Sequence, residues 1–383
     1  MKLTLKRDHD DLTVLSDPRI VLLLQGGGAL GSYQAGAYAA LAEHNLDPKW
    51  VIGVSIGSIN ASIIAGNPPE RRVERLKAFW DKVTEPTAGF GIIPFELPES
   101  FQKKVGAASS LAFGQPGFFR PRAPLEWAAS PKPLSFYDTS QLKTTLLELV
   151  DFELINSGKV RLSVGAVQVS TGNLIYFDSA QTEIIPEHIM ASGALPPGFP
   201  PVEIDGELFW DGGLVSNTPL EYMMSEEPRS DSLVFQVDLF PAVGEVPTSL
   251  DEVAEREKDI RYSSRTRAVT TKEKDRHDMR RQVHLFLNSL PEELREDASL
   301  DKIRELACPS KIHVAHLIYR PSTPQGSQKD FEFDRASANR RWAEGYSDAK
   351  TTVEAAPWDA PRASKIGMHT FDVIGDRIKQ AVK

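Results

Sequence analysis

Two short apolar runs, each cut off by glycines and followed by small residues, constrain this chain more than any other feature. Residues 19–25 (RIVLLLQ) end at Gly26, Gly27 and Gly28. Residues 50–54 (WVIGV) end at Ser55, Ile56 and Gly57. A brief apolar run without alternation suits a strand buried on both faces, as in a parallel sheet. The Ala-rich stretch 32–44 and the stretch 56–65 read as helices. Strand, helix, strand, helix predicts a βαβ unit and an α/β fold. An amphipathic helix is expected at 70–83.

The first glycine cluster poses a chemical question. Gly26, Gly28 and Gly31 fit G-x-G-x-x-G. Bare amides at a helix start stabilise negative charge, either a bound pyrophosphate or a transient anion. A dinucleotide site also needs an acidic residue ~20 positions on, at the end of the second strand. Asp47 has the right spacing but precedes that strand, which ends at Ser55. An NAD(P)-dependent oxidoreductase is therefore disfavoured.

The second cluster offers a nucleophile. Gly53-x-Ser55-x-Gly57 sits between an expected strand and an expected helix, the setting of a nucleophile elbow. There the turn lifts the serine above the sheet, and the helix start favours a developing alkoxide. The plainer alternative is a helix that happens to start with serine. A nucleophilic serine also needs a base. None of the eight histidines lies in a catalytic motif. A Ser–Asp–His order would require His313, His316 or His369, and His313 and His316 are three apart on an expected strand, so they face opposite sides. Asp211 is the better candidate. It follows Leu208-Phe209-Trp210, an expected strand end, and precedes Gly212 and Gly213. A single carboxylate there can take the serine proton and return it to the leaving group. The plainer alternative for Asp-Gly-Gly is a β-turn.

Between these motifs, residues 85–133 carry many Pro and Gly together with Phe90, Phe95, Phe101, Phe113, Phe118, Phe119 and Trp127. So long a stretch without periodicity suggests either a lid or substrate-mouth insertion or aromatics packed over the domain. A helix is expected at 140–150, a hairpin from 160–169 and 174–177, and a strand at 233–238. A charged helix follows from 250 to about 287, then a late strand at 311–319. Two closing helices are expected, in "DRASANRRWAEGYSDAKTTV" and "IGMHTFDVIGDRIKQAV". Ten basic and five acidic residues fall between Arg256 and Arg281. That pattern reads first as a solvated helix laced with ion pairs, and second as a face for anionic lipid headgroups.

At 383 residues the chain exceeds one average domain. A formal charge of −9 argues against a nucleic-acid partner. Cys308 is the one cysteine, so no intrachain disulfide is possible. The first twenty residues hold no signal-peptide core, and no window reaches the ~18 apolar residues of a spanning helix. The expected location is the cytoplasm, with any membrane contact peripheral.

Taken in order, "GGGALG", "GVSIG" and "DGG" resemble the patatin-like phospholipase family, and so do "ASGALPPGFPPV" (191–202) and "NTPL" (217–220) around the last motif. The resemblance covers about 19–240. It implies a three-layer α/β/α sheet domain and a lipid acyl hydrolase with a Ser–Asp dyad, needing neither metal nor cofactor. Carried over, Ser55 is the nucleophile, Asp211 the general base, and the amides of Gly27, Gly28 and Ala29 the oxyanion hole. Gly26, Gly31, Gly53, Gly57, Gly212 and Gly213 complete the motifs. Leu30 departs from the arginine common at that point, which removes any guanidinium contribution from this position.

The expected organisation is an N-terminal segment (1–18), a catalytic domain (19–240) with the insertion 85–133, and a mostly helical C-terminal extension (241–383) similar to one in a bacterial subgroup of the family. The expected function is a serine esterase acting on lipid or other acyl esters. The alternatives are an esterase for oligomeric hydroxyacid esters and a lipid-binding or regulatory protein on the same fold. No motif specifies an oligomeric state.

Overall fold

The computed structural model describes residues 12–86, 112–123, 126, 134–227, 229–321 and 325–381. Strand β1 (Arg19–Leu24) shows how its layers arise. Successive side chains of a strand point to opposite faces. Leu22 and Leu24 enter one core, Val21 and Leu23 another. All four are buried, each contributing roughly 1.5–3 kcal/mol by leaving water. A strand buried on both sides requires a layer of helices on each.

The first layer comes from α1 (Gly31–Glu43), α2 (Ile56–Ala65) and α3 (Pro69–Val83), joined by α4 (Ser140–Leu149). β2 (Trp50–Val54) lies parallel to β1. β3 (Arg161–Gln168) lies parallel to β2 and forms an antiparallel hairpin with β4 (Leu174–Asp178). The short helix α5 (Pro186–Ser192) then leads to β5 (Val202–Ile204) and β6 (Glu207–Asp211), which pair antiparallel with each other. Helix α6 (Leu220–Ser225) precedes β7 (Ser232–Asp238), which lies parallel to β1 on its other side.

Past Phe240 the chain is mostly helical, yet it is continuous with the sheet. Helix α7 (Leu250–Ser289) has 40 residues and spans ~60 Å. With α6 it covers the face of Val21 and Leu23. Strand β8 (Ile312–Ile318) adds to β7, α8 (Arg335–Ala355) packs beside α1, and β9 (Met368–Phe371) adds to β8. Helix α9 (Val373–Ala381) ends the described chain. Among the described residues nine strands form one sheet, in the order β9-β8-β7-β1-β2-β3-β6-β5 with β4 on β3. This is the expected α/β/α arrangement with a helical C-terminal region.

The contact between α1 and α8 is a backbone contact. A side chain at Gly36 would stand 1.9 Å from the Trp342 carbonyl oxygen, and one at Gly345 would stand 2.0 Å from that of Tyr33. Glycine at both crossing points lets the two helices touch. The helix that follows the glycine loop is thus fixed by the C-terminal region.

Several expectations need adjustment. The closing stretch read as one helix is a strand followed by a helix. β8 offers an open edge that Met368–Phe371 fills, and Asp372 then accepts the Gly375 amide at 2.9 Å to start α9. The ion-pair reading of α7 needs no adjustment, since Lys258 pairs with Asp330 (2.7 Å), Lys272 with Glu221 (3.1 Å) and Arg280 with Glu227 (2.8 Å). Most of the segment 85–133, including Phe90, Phe95, Phe101 and Trp127, lies outside the described residues, as does 1–11. Among the described residues no helix is long and apolar enough to cross a membrane.

Candidate active site

The parallel strands end along one edge of the sheet, the edge where α/β proteins bind ligands. At that edge β2 gives way to α2 through a single residue, Ser55, whose backbone has φ 57° and ψ −127°. Positive φ is costly for any residue with a side chain. The surroundings hold it. The Ser55 amide donates to the Ser192 hydroxyl at 3.0 Å, and its carbonyl accepts from the Ser58 amide (2.9 Å) and hydroxyl (2.6 Å). The flanking glycines are sterically required. A side chain at Gly53 would stand 2.4 Å from the Gly57 oxygen, and one at Gly57 2.3 Å from the Leu24 oxygen.

Asp211 arrives at the same place by strand pairing. β2 follows one edge of β3 only as far as Val54, which pairs with Gly165. The next residue of β3, Ala166, pairs with Asp211. β6 therefore continues along the edge that β2 leaves, and its last residue meets the serine. Asp211 is buried, and its Oδ1 accepts the Gly213 amide at 2.7 Å. Burial pushes its pKa up to about 6, while the Ser55 side chain, within hydrogen-bonding reach, and the Gly213 amide pull the other way.

The glycine loop completes the constellation. Gln25 anchors its start, accepting the Leu239 amide at 2.5 Å and donating to the hydroxyls of Thr218 (3.0 Å) and Thr266 (3.1 Å). Asn217 clamps Gly26 twice: its side chain donates to the Gly26 carbonyl at 2.8 Å, and its own carbonyl accepts the Gly26 amide at 3.3 Å. Gly28, with φ 55°, opens the tight turn Gly28–Leu30, and the Leu30 amide donates to the Gly27 carbonyl at 3.1 Å. Among the described residues the amides of Gly27, Gly28 and Ala29 donate no hydrogen bond. Gly27 and Gly28 line the cavity above Ser55; Ala29 is buried beside them. Leu30 is fully buried in the core and takes no part in the cavity.

The cavity over Ser55 and Asp211 has an apolar wall. Ile56, Ile59, Leu195 and Phe240 form part of it. Phe118, Phe119, Phe199 and Phe333 form the rest and pack on one another, with ring centroids 5.2–5.8 Å apart for Phe119–Phe199, Phe118–Phe333 and Phe118–Phe199. Two aromatics of the expected insertion therefore line the cavity. Phe331, Phe333 and Asp330, from a stretch of the C-terminal region, also border it.

The histidines stand elsewhere. No described histidine lines the cavity. His313 and His316 lie on β8, three strand spacings from β2, or ~14 Å. His316 faces Asp238 at 3.6 Å, and the His313 and His369 rings are 5.2 Å apart. Asp47 precedes β2 and pairs with Arg72 at 3.3 Å, away from the strand end that a ribose-binding carboxylate occupies. Sequence reasoning missed the parts played by Ser192, Asn217 and the stretch 325–333. "ASGALPP" and "NTPL" marked the first two without revealing what they hold.

A profile described as patatin-like phospholipase matches residues 22–224, and one described as patatin phospholipase matches residues 260–365. The first spans more than half of the chain. The protein belongs to the patatin-like phospholipase family. A comparison with curated proteins gave no match. Among solved structures, VipD from Legionella pneumophila is similar at 16% identity over 90% of this chain and 68% of that one, with TM-score 0.41. Human GIVD cytosolic phospholipase A2, in complex with methyl gamma-linolenyl fluorophosphonate inhibitor, is similar at 12% identity over 88% and 58%, with TM-score 0.36. The type III effector ExoU of Pseudomonas aeruginosa is similar at 14% identity over 90% and 54%, with TM-score 0.32. The chain spans little more than half the length of the last two.

Proposed function

We propose that the protein is a serine lipid acyl hydrolase in which Ser55 is the nucleophile and Asp211 the general base. The observation that carries this reading is the juxtaposition of a strained, cavity-facing serine with a buried carboxylate, beside amides that donate to no other described residue. Ser55 Oγ attacks the ester carbonyl as its proton passes to Asp211. The oxyanion forms against the glycine-loop amides, each worth about 3 kcal/mol in the transition state. Collapse breaks the bond to the alkoxy group, which leaves as the alcohol with the proton from Asp211. Water then attacks the acyl-enzyme with Asp211 again as base, releasing the fatty acid and restoring Ser55.

The aromatic wall supports an apolar acyl group beside the scissile carbonyl. A lipid ester at a membrane surface, met by peripheral contact, fits both the family and this lining. Hydrolysis of p-nitrophenyl and phospholipid esters by wild type, Ser55→Ala and Asp211→Asn tests the reading. Both variants are expected to lose turnover, and full activity in Ser55→Ala would remove it.

A further inference from the structure

We infer that Arg341, in the C-terminal region, is a positioning residue for the glycine loop and hence for oxyanion stabilisation. This rests on the proposed hydrolase reading. Arg341 is fully buried on α8. Its guanidinium donates to four acceptors: the Ala29 carbonyl (3.4 Å), the Glu332 carbonyl (3.0 Å), the Lys329 carbonyl (3.2 Å) and the Glu332 carboxylate (2.6 Å). One rigid group thus joins the glycine loop to the stretch that forms part of the cavity wall.

That stretch is itself held firmly. Lys329 is buried between Glu255 (3.2 Å) and Asp259 (2.5 Å) of α7. Glu255 also accepts the amides of Gln325 and Gly326. The carbonyl of Asp330 lies against Gly28, 2.2 Å from where a side chain there would begin. The loop is therefore bounded on one side by Asp330 and tied on another through Arg341.

The bond to Ala29 bears on catalysis through the turn it fixes. The Leu30 amide bonds the Gly27 carbonyl, and Arg341 bonds the Ala29 carbonyl. Together these restrain the Gly27–Gly28 peptide, which carries the Gly28 amide, and the Ala29–Leu30 peptide, which directly follows the Ala29 amide. Glu332 neutralises the guanidinium, so its contribution is geometric. Loss of the tie lets the donors drift from the oxyanion position, and a shift of ~1 Å is enough to cost up to about 100-fold in rate.

Arg341→Lys separates this role from plain anchoring. Lysine keeps a charge for Glu332 but lacks the planar fork that reaches several carbonyls at once. We expect Arg341→Lys to fold with a lowered thermal midpoint, because it leaves buried carbonyls unpaired, and, assayed well below that midpoint, to lose about 10-fold or more in kcat for p-nitrophenyl butyrate with KM nearly unchanged. Inhibition by an alkyl trifluoromethyl ketone, whose adduct carries the oxyanion, should weaken in parallel. The double variant Arg341→Met/Glu332→Leu, which strands no buried charge, carries the same test if the lysine variant does not fold. A folded variant with kcat and ketone inhibition within about twofold of wild type overturns the inference. Ser55→Ala is measured alongside. If it loses hydrolysis while Arg341→Lys keeps kcat, the positioning role alone fails. If it keeps hydrolysis, both readings fail.

Discussion

Val54 and Asp211 lie end to end along one edge of β3, paired with the consecutive residues Gly165 and Ala166. The strand that delivers the serine stops where the strand that delivers the carboxylate begins. Ser55 and Asp211, more than 150 positions apart in sequence, are thus brought within a hydrogen bond's reach where the two strands meet.

Asp211 gives the first prediction. Its pKa is raised to about 6 by burial, so the ionised base accumulates as pH rises through that value. The acid limb of kcat/KM should rise with a midpoint near 6 and level off above it. Stability runs the other way. A carboxyl whose folded pKa exceeds its unfolded value of about 3.9 favours folding below that lower value, and the benefit is lost as pH rises through the folded one. Ionised Asp211 therefore costs on the order of 3 kcal/mol at pH 8. Asp211→Asn should melt higher than wild type at pH 8, gain little at pH 4, and lose activity at pH 8, where the wild-type carboxylate is ionised. Thermal melts at the two pH values check the sign.

Ser55 gives the second. At φ 57° any side chain is strained. Ser55→Gly should be more stable than Ser55→Ala by about 1 kcal/mol, because glycine adopts this backbone freely. Both should be inactive. Denaturant midpoints of the two variants, compared at one pH, read the difference.

The glycine loop gives the third. Gly28 combines φ 55° with an approach to Asp330 that leaves no room for a side chain. Gly28→Ala should lose more than ~2 kcal/mol of stability, and kcat should fall as the loop and the adjoining wall separate. A melt together with steady-state kinetics measures both effects.

The histidines give the fourth. His316 and His369 lie away from the cavity. His316→Gln and His369→Gln should keep kcat/KM within about twofold of wild type. A large loss of kcat in either, with folding intact, would restore the triad alternative.

What the sequence made legible was local. The strand–helix turn at Ser55 is legible because such a turn needs small residues at 53 and 57 and a strand before it, all within a few positions. The strand end at Asp211 is legible because its glycines follow immediately. Met368–Phe371 was misread as helix because its strand character comes from the open edge of β8, which no local pattern records. Arg341 was invisible for a similar reason. It sits in a charged helical stretch that looks solvated, and its partner Ala29 is 312 residues away. The pairing of α1 with α8 hid in the same way, since Gly36 and Gly345 gain meaning only when the helices meet.

The most direct test of the central claim is the turnover of one acyl ester by wild type and Ser55→Ala, with the covalent state of the protein followed by intact mass. The account predicts that wild type accumulates a single acyl adduct on Ser55 during turnover and that Ser55→Ala shows neither adduct nor hydrolysis, a loss of at least about 10³-fold. Hydrolysis by Ser55→Ala at the wild-type rate, or an adduct on any other residue, would contradict it.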